Sequence, residues 1–515
     1  MAIRTDRIPP RFGSPVIVAA AIGVFAMAAN MDVHGGEPAP VGSARPSPFL
    51  IGARHCAPCH NGGYNQTITP AENEALICRM VESVTFHEKD KHELAFKALS
   101  GLRGQEMTRA LKADVREMAA CLACHATTAP AGGDVRLYDR ERDGVTCVSC
   151  HGAAEEWVAR HQFGSTSWAR LTRREKEDKF GMIDLWDPVR RAETCTSCHV
   201  GSREEGKVVT HEMYAAGHPP LPSIEVSSFG EAEPRHWQTL REKSPKRLER
   251  LGLAGSSNDL EQTRQVVIGG LVGLRASMRL MADRPGAAVS PATGADFARF
   301  DCTACHHELR RDDDAIPWRQ VRRVGSIPGR PTTPDWPLVL ARLGVEGRQN
   351  ELDGRLSKLR EGLGRRPFGD ESTPAAARAV ADWADAAIRD FSASPIDEAR
   401  AFGLLDRLAR MAIEAPPDYD SARQIAWAFR AIYHEVVPSG RRPAEIEAGL
   451  KALSAELLLD LPPSQTKALI VPTSLSRRLE DAAAFDPAAF REHFRRIAGA
   501  LTSAPATRTV SRDHR

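Results

Sequence analysis

The sequence predicts a mainly α-helical protein with little regular sheet. A cysteine- and histidine-rich segment over residues 49–325 precedes an α-helical domain over residues 338–515. Three observations carry this reading. Five Cys-x-x-Cys-His pentapeptides, at 56–60, 121–125, 147–151, 195–199 and 302–306, use ten of the eleven cysteines. No run of alternating β-branched residues marks a large sheet. Beyond residue 337 cysteine is absent and apolar residues recur at helical spacing.

The pentapeptides come first because their chemistry organises the N-terminal part. At this content of Cys and His, chance would give on the order of 0.01 such motifs. On a helical turn, residues i, i+3 and i+4 share one face. Two thiols can then bond the vinyl groups of one porphyrin while the imidazole ligates its iron. Five covalently attached haem c groups are expected. Their thioether residues are Cys56, Cys59, Cys121, Cys124, Cys147, Cys150, Cys195, Cys198, Cys302 and Cys305. The proximal iron ligands are His60, His125, His151, His199 and His306. Structural zinc sites also pair Cys-x-x-Cys elements, but they do not require His directly after the second Cys. Disulfides within each motif would close only tiny loops. Cys78 stands apart and reads as a buried, inert thiol in a helix.

The segment around these motifs should be short helices and long irregular loops, with porphyrin supplying much of the core. Its end is marked by a Gly/Pro-rich linker at 326–337. After the linker, Thr373-Pro374 reads as an N-cap with Pro at N1, opening a helix over 375–391. Ser394-Pro395 opens the next, with Ala401, Leu404, Leu405, Leu408, Met411 and Ala412 on one apolar stripe. Stretches 419–437, 443–461 and 487–501 continue the pattern, as a bundle or a repeat-like array without a fixed period.

At the other end, Arg4, Arg7 and Arg11 precede an apolar run over 16–29 and an Ala-x-Ala-like stretch at 26–28. This is the layout of a secretory signal peptide over 1–29, followed by a disordered leader over 30–48. No later stretch is long and apolar enough to span: the run 266–274 is broken by Arg275 and Arg279. No stable membrane span is expected once the signal is removed. Export to the periplasm or cell surface follows, and haem attachment outside the cytoplasm agrees with it. The formal charge of +2 gives no case for nucleic-acid binding.

The sixth ligand of each iron decides its chemistry: a second His makes an electron carrier, whereas an open position binds small molecules. His92, His161, His211, His218 and His236 are the candidate distal ligands, as numerous as the haems. His92 is followed by Ala95, Phe96 and Leu99 on what should be the apolar face of a helix. His161 lies one turn after Trp157. His55, His87 and His307 are weaker candidates, and Met182, Met213 and Met278 read as packing. Which distal histidine serves which iron stays open.

Several stretches together resemble the cytochrome c-554 type of multihaem cytochrome, related in haem packing to the hydroxylamine oxidoreductase and nitrite reductase group. They are 90–96, 144–152, 157–161, 195–201, 211–219, 234–237 and 300–309. The resemblance covers about residues 50–325. It implies a mainly helical fold with porphyrins in close stacked and perpendicular pairs, and it supports the same five distal candidates. Two departures stand out. The family is tetrahaem, so the haem at Cys302 and the helical tail fall outside the analogy. No Cys-x-x-Cys-Lys motif is present to make a lysine-ligated catalytic haem, and no tyrosine among Tyr64, Tyr138 and Tyr214 is singled out as a porphyrin crosslink.

The leading functional expectation is electron transfer between redox partner proteins. The alternative is an oxidoreductase acting on a small nitrogen or sulfur oxyspecies at one five-coordinate haem. A third role falls to the C-terminal helices, which would dock a partner and be removable with the haem spectra intact.

Overall fold

The computed structural model describes residues 49–63, 78–128, 134–161, 166–239, 242–250, 260–283, 296–306, 330–461 and 474–503, except Leu137, Glu346, Pro367, Ala415 and Pro416. The expected signal peptide and leader, the first part of the linker, Tyr64 and His307 lie outside the described residues.

The chain is mainly helical. Regular β-structure among the described residues is one parallel pairing, Phe49–Ile51 (β1) beside Asp134–Arg136 (β2), with Leu50 opposite Val135. The helices of the N-terminal part are mostly short: Ala53–His60 (α1), Glu82–Lys89 (α2), Ala95–Ser100 (α3), Leu102–Leu111 (α4), Ala119–His125 (α5), Arg140–Asp143 (α6), Cys147–His151 (α7), Thr166–Arg170 (α8) and Arg173–Phe180 (α9). Pro188–His199 (α10), His211–Ala215 (α11), Val226–Ala232 (α12) and Pro245–Arg250 (α13) follow.

Against the expectation of short helices throughout this part, Glu261–Ala282 (α14) runs for 22 residues. It buries Val266, Val267, Ile268, Leu271, Val272 and Leu274, so it is apolar on several sides at once. Such a helix must be enclosed, and α14 is. It packs against α10 and α12 from its own half of the chain, and against Trp336–Ala341 (α15), Thr373–Ser392 (α17) and Tyr419–Val436 (α19) from the C-terminal half. The approach to α15 is close because residue 270 is glycine: a Cβ there would sit 2.4 Å from the Leu340 Cβ.

The remaining C-terminal helices are Gln349–Arg365 (α16), Glu398–Glu414 (α18), Ala444–Glu456 (α20), Leu475–Ala484 (α21) and Pro487–Ser503 (α22). The Thr373-Pro374 signal is one residue off, since Ser372 is the cap and Thr373 is already helical. The helix after Ser394-Pro395 begins at Glu398, and of the expected stripe Ala401, Leu404, Leu405, Leu408 and Ala412 are buried while Met411 is partly buried. Helices α15, α16 and α21 were not anticipated.

One apolar core joins both halves, from Ala192, Val200 and Phe300 through α14 to Trp427, Phe490 and Phe494. Polar contacts bind the halves too. The Glu435 carboxylate on α19 accepts hydrogen bonds from Gln262 N, Thr263 N and Thr263 Oγ1, capping the start of α14. Arg275 of α14 donates to Glu193 of α10 and to Asp385 of α17, both at 2.7 Å.

Candidate haem-binding sites

All five pentapeptides lie on helical turns, as the i, i+3, i+4 geometry demands. Sites 1, 2 and 3 are the ends of α1, α5 and α7, site 4 is the C-terminal turn of α10, and site 5 includes the 3-10 turn Cys302–Ala304. Local sequence sets each turn. Asp187 caps α10 by accepting from Val189 N at 2.8 Å, with Pro188 at the first helical position. Asp301 holds the site 5 turn by accepting from Thr303 N and Oγ1. Gly152 ends α7 at φ +84°, where a Cβ would lie 2.1 Å from the Gly181 carbonyl oxygen.

The structure brings every pentapeptide histidine opposite one distal candidate. His60 faces His161 with ring centroids 6.3 Å apart, and His125 faces His218 at 6.3 Å. His151 faces His236 at 6.4 Å, His199 faces His92 at 6.5 Å, and His306 faces His211 at 6.2 Å. A metal–imidazole bond of about 2 Å, with the ring centroid roughly 1.1 Å behind the nitrogen, puts two ligands across one iron about 6 Å apart. The separations therefore fit an iron between each pair of rings.

Ring polarity fits as well. Ligating histidines commonly donate their other ring N–H to a carbonyl or carboxylate, which fixes the tautomer. Nδ1–H of His125 donates to Ala95 O at 2.8 Å, that of His161 to Val158 O at 2.6 Å, that of His218 to Pro219 O at 2.7 Å and that of His236 to Pro234 O at 3.1 Å. A carbonyl only accepts, so Nδ1 carries the proton and Nε2 is left for a ligand role. Burial pushes the His151, His199 and His218 imidazoles down to about 4, and lowers His125 and His161 too. They are neutral near pH 7, the state that ligates metal.

Two rings are backed by carboxylates. His60 Nδ1 donates to Glu82 Oε2 at 2.7 Å, and His92 Nδ1 donates to Asp90 Oδ1 at 3.0 Å. Burial acts to raise Glu82, but the His60 bond and backbone donors outweigh it and hold the carboxyl below its usual value. At His92 burial works downward, yet Asp90 and Glu233 together raise the imidazole to about 9. A cation at that position is favoured by the same field.

The attachment turns also touch one another. Cys56 lies next to Cys147, and Cys124 next to Cys198. Cys150 is an electrostatic neighbour of Cys195 and Cys198. Sites 1 and 3 are thus adjacent, as are 3 and 4, and 4 and 2. Site 5 joins through α11, whose first residue His211 faces site 5 while His218, just beyond it, faces site 2.

Local structure differs from expectation at some of these residues. His92 sits on a 3-10 turn, Lys91–Leu94, capped by Asp90, rather than on the apolar face of an α-helix. Trp157 and His161 do share a face, with rings 5.2 Å apart. His55 is exposed, and His87 is bonded to Glu93 at 3.0 Å. Met182, Met213 and Met278 pack against apolar clusters. Cys78 is half-buried in an isolated bridge with Trp237, not in a helix. Burial pushes its thiol up to about 11, which keeps it unreactive. Sequence reading missed Glu82, whose distance along the chain from His60 gives no spacing signal. Asp90 carried one, as an N-cap two residues before His92.

No helix among the described residues is long and apolar enough to cross a membrane. A family model described as cytochrome c554 and c-prime matches residues 55–152, the stretch that holds the first three attachment turns. No curated protein and no solved structure matches the chain. Over residues 55–152 the chain is thus similar to the cytochrome c554 type of multihaem cytochrome, a similarity that supports haem-based electron transfer.

Proposed function

We propose that the protein is an exported pentahaem electron carrier, working in the periplasm or at the cell surface, in which each of the five irons is closed by two histidines. Bound haem c would supply reversible one-electron storage at iron. The single observation that carries the reading is the set of five facing histidine pairs, all with centroids 6.2–6.5 Å apart. In each pair the residue in the pentapeptide would be the proximal ligand and its partner the distal one. The ten pentapeptide cysteines would fix the porphyrin edges. The contacts among attachment turns support a continuous relay in the order 1, 3, 4, 2, 5.

This reading is favoured over an oxidoreductase with one open haem, because His218 stands opposite His125 and no pentapeptide histidine lacks a counterpart. The segment over 49–325 would hold the haems, the linker over 326–337 would join it to the helices over 338–515, and 1–29 would direct export. Partners would be redox proteins, with the outer face of the C-terminal helices open to docking.

Two measurements test the proposal. The mature protein should carry the mass of five tetrapyrroles. Its ferric spectrum should be wholly low-spin and unchanged by cyanide or nitric oxide. A high-spin component accompanied by turnover of hydroxylamine or nitrite would replace the carrier with an enzyme.

A further inference from the structure

The relay has a feature that the pairing of histidines does not by itself produce. Four ligand candidates, at sites 1, 2 and 3, lean on backbone carbonyls: His125, His161, His218 and His236. His60 of site 1 and His92 of site 4 lean on carboxylates instead. Both carboxylates are built into the chain rather than hanging from the surface. Glu82 opens α2, and its other oxygen, Oε1, accepts from Met80 N at 3.1 Å and from Arg79 N. Asp90 caps the 3-10 turn, its Oδ1 accepting from His92 N at 2.9 Å as well as from the ring, and its side chain is buried.

We propose that Glu82 and Asp90 are positioning residues that make sites 1 and 4 harder to reduce than sites 2 and 3. An anionic acceptor on Nδ1–H gives the imidazole partial imidazolate character and makes Nε2 a more basic donor. A more basic ligand favours the higher charge on iron, so the reduced state is disfavoured. A carbonyl acceptor polarises the ring in the same sense but brings no net charge, and charge-assisted bonds are about twice as strong as neutral ones. Site 1 lies at one end of the relay. Electrons loaded there run downhill to site 3, while site 4 is a step in the middle that holds charge only in transit. The inference rests on the reading of the five pairs as iron ligands.

The test uses the full-length holoprotein, with haem number first established by intact mass. Glu82→Gln retains a carbonyl acceptor for the backbone donors but turns an amide toward the ring. Asp90→Asn keeps an oxygen for both of its donors and removes only the charge. In a spectroelectrochemical titration, each variant should move one of the five one-electron steps upward. The expected size is about tenfold in the ratio of reduced to oxidised at fixed ambient potential, or about 59 mV. The two variants should move different steps, and the double variant both. Five haems with a titration superimposable on wild type in both variants would overturn the inference while leaving the carrier reading intact. If Glu82→Gln loses a haem, Asp90→Asn decides alone: an upward step upholds the mechanism at site 4, and an unmoved curve ends it. A wild-type mass short of five tetrapyrroles would strike the proposed function itself.

Discussion

At the scale of single residues, a glycine and a histidine carry consequences that can be measured. Gly144 adopts φ +52° just before the site 3 turn, and a Cβ there would lie 2.4 Å from Glu93 O and 2.5 Å from His92 O. The backbone of the His92 turn is pressed onto this glycine, and Val145 N donates to His92 O at 3.0 Å. Gly144→Ala should cost about 2 kcal/mol through backbone strain and the clash. It should also push His92 away from His199, so a high-spin signal is expected alongside the lower Tm. His218→Ala should open site 2 alone, giving one high-spin iron in five that binds cyanide, with the other four unchanged. An unchanged low-spin spectrum in that variant would remove His218 from the ligand set. What was legible here follows from covalent chemistry. Thioether attachment fixes the spacing of two cysteines and a histidine on one turn, so the pentapeptides stand out in the sequence. The distal candidates could be nominated by counting spare histidines. Their pairing, and the contact of Glu82 with His60, join segments well apart in the chain, where no local period records who meets whom.

At the scale of elements, the decisive one is α14. Its neighbour α10 ends in the site 4 turn, and Arg275 ties α10 to α14 and to α17 through Glu193 and Asp385. The guanidinium is largely buried, and on its removal Glu193 keeps Arg190 and Asp385 keeps Arg279, so what is lost is the link between the helices. Arg275→Leu should destabilise by about 1–2 kcal/mol through the lost charged hydrogen bonds, read as a lower midpoint in urea. A shift confined to a few tenths would mean that Arg190 and Arg279 take over both carboxylates. Helix α12 offers a pH test. Glu225, buried, caps it by accepting from Ser227 N at 3.0 Å and Ser228 N at 2.7 Å. Burial raises this carboxyl above its usual 4.5, against the pull of those donors. The folded state then binds the proton more tightly than the unfolded chain. This group's contribution is therefore complete below pH 4.5 and is lost as pH rises through the raised value. Glu225→Gln should abolish that loss, so its Tm relative to wild type should climb with pH from 4.5 upward. A Tm difference independent of pH would show that Glu225 is charged in the fold. The sequence did not announce α14, because a helix enclosed on several sides has no polar stripe to alternate with its apolar one. The amphipathic helix α18, with one dry face, was easy to read.

At the scale of the whole molecule, the question is whether the helices beyond residue 337 are an appendage or part of the cytochrome. The sequence suggested an appendage, since cysteine stops before the linker and the helical period begins after it. Packing points the other way. The start of α14 is capped by Glu435, Arg275 is held by Asp385, and the apolar faces of α14 are covered by α15, α17 and α19. Phe300, just before the site 5 turn, belongs to the same core. Arg478 on α21, which is ion-paired with Asp420 on α19, is an electrostatic neighbour of Cys302. Removing residues 338–515 would thus expose the α14 side chains that now lie against the C-terminal helices, each worth roughly 1.5–3 kcal/mol when buried. The sites that border this core are 4 and 5, whereas sites 1, 2 and 3 rest on the smaller clusters around Trp157 and Phe96. Chain shortened to residue 337 should therefore keep haem at sites 1 to 3 better than at sites 4 and 5. Intact mass should show fewer than five tetrapyrroles per chain, with peptide mapping placing the missing ones on Cys195, Cys198, Cys302 and Cys305. Five haems and a wild-type spectrum in the shortened chain would instead show that the cytochrome folds without its C-terminal half.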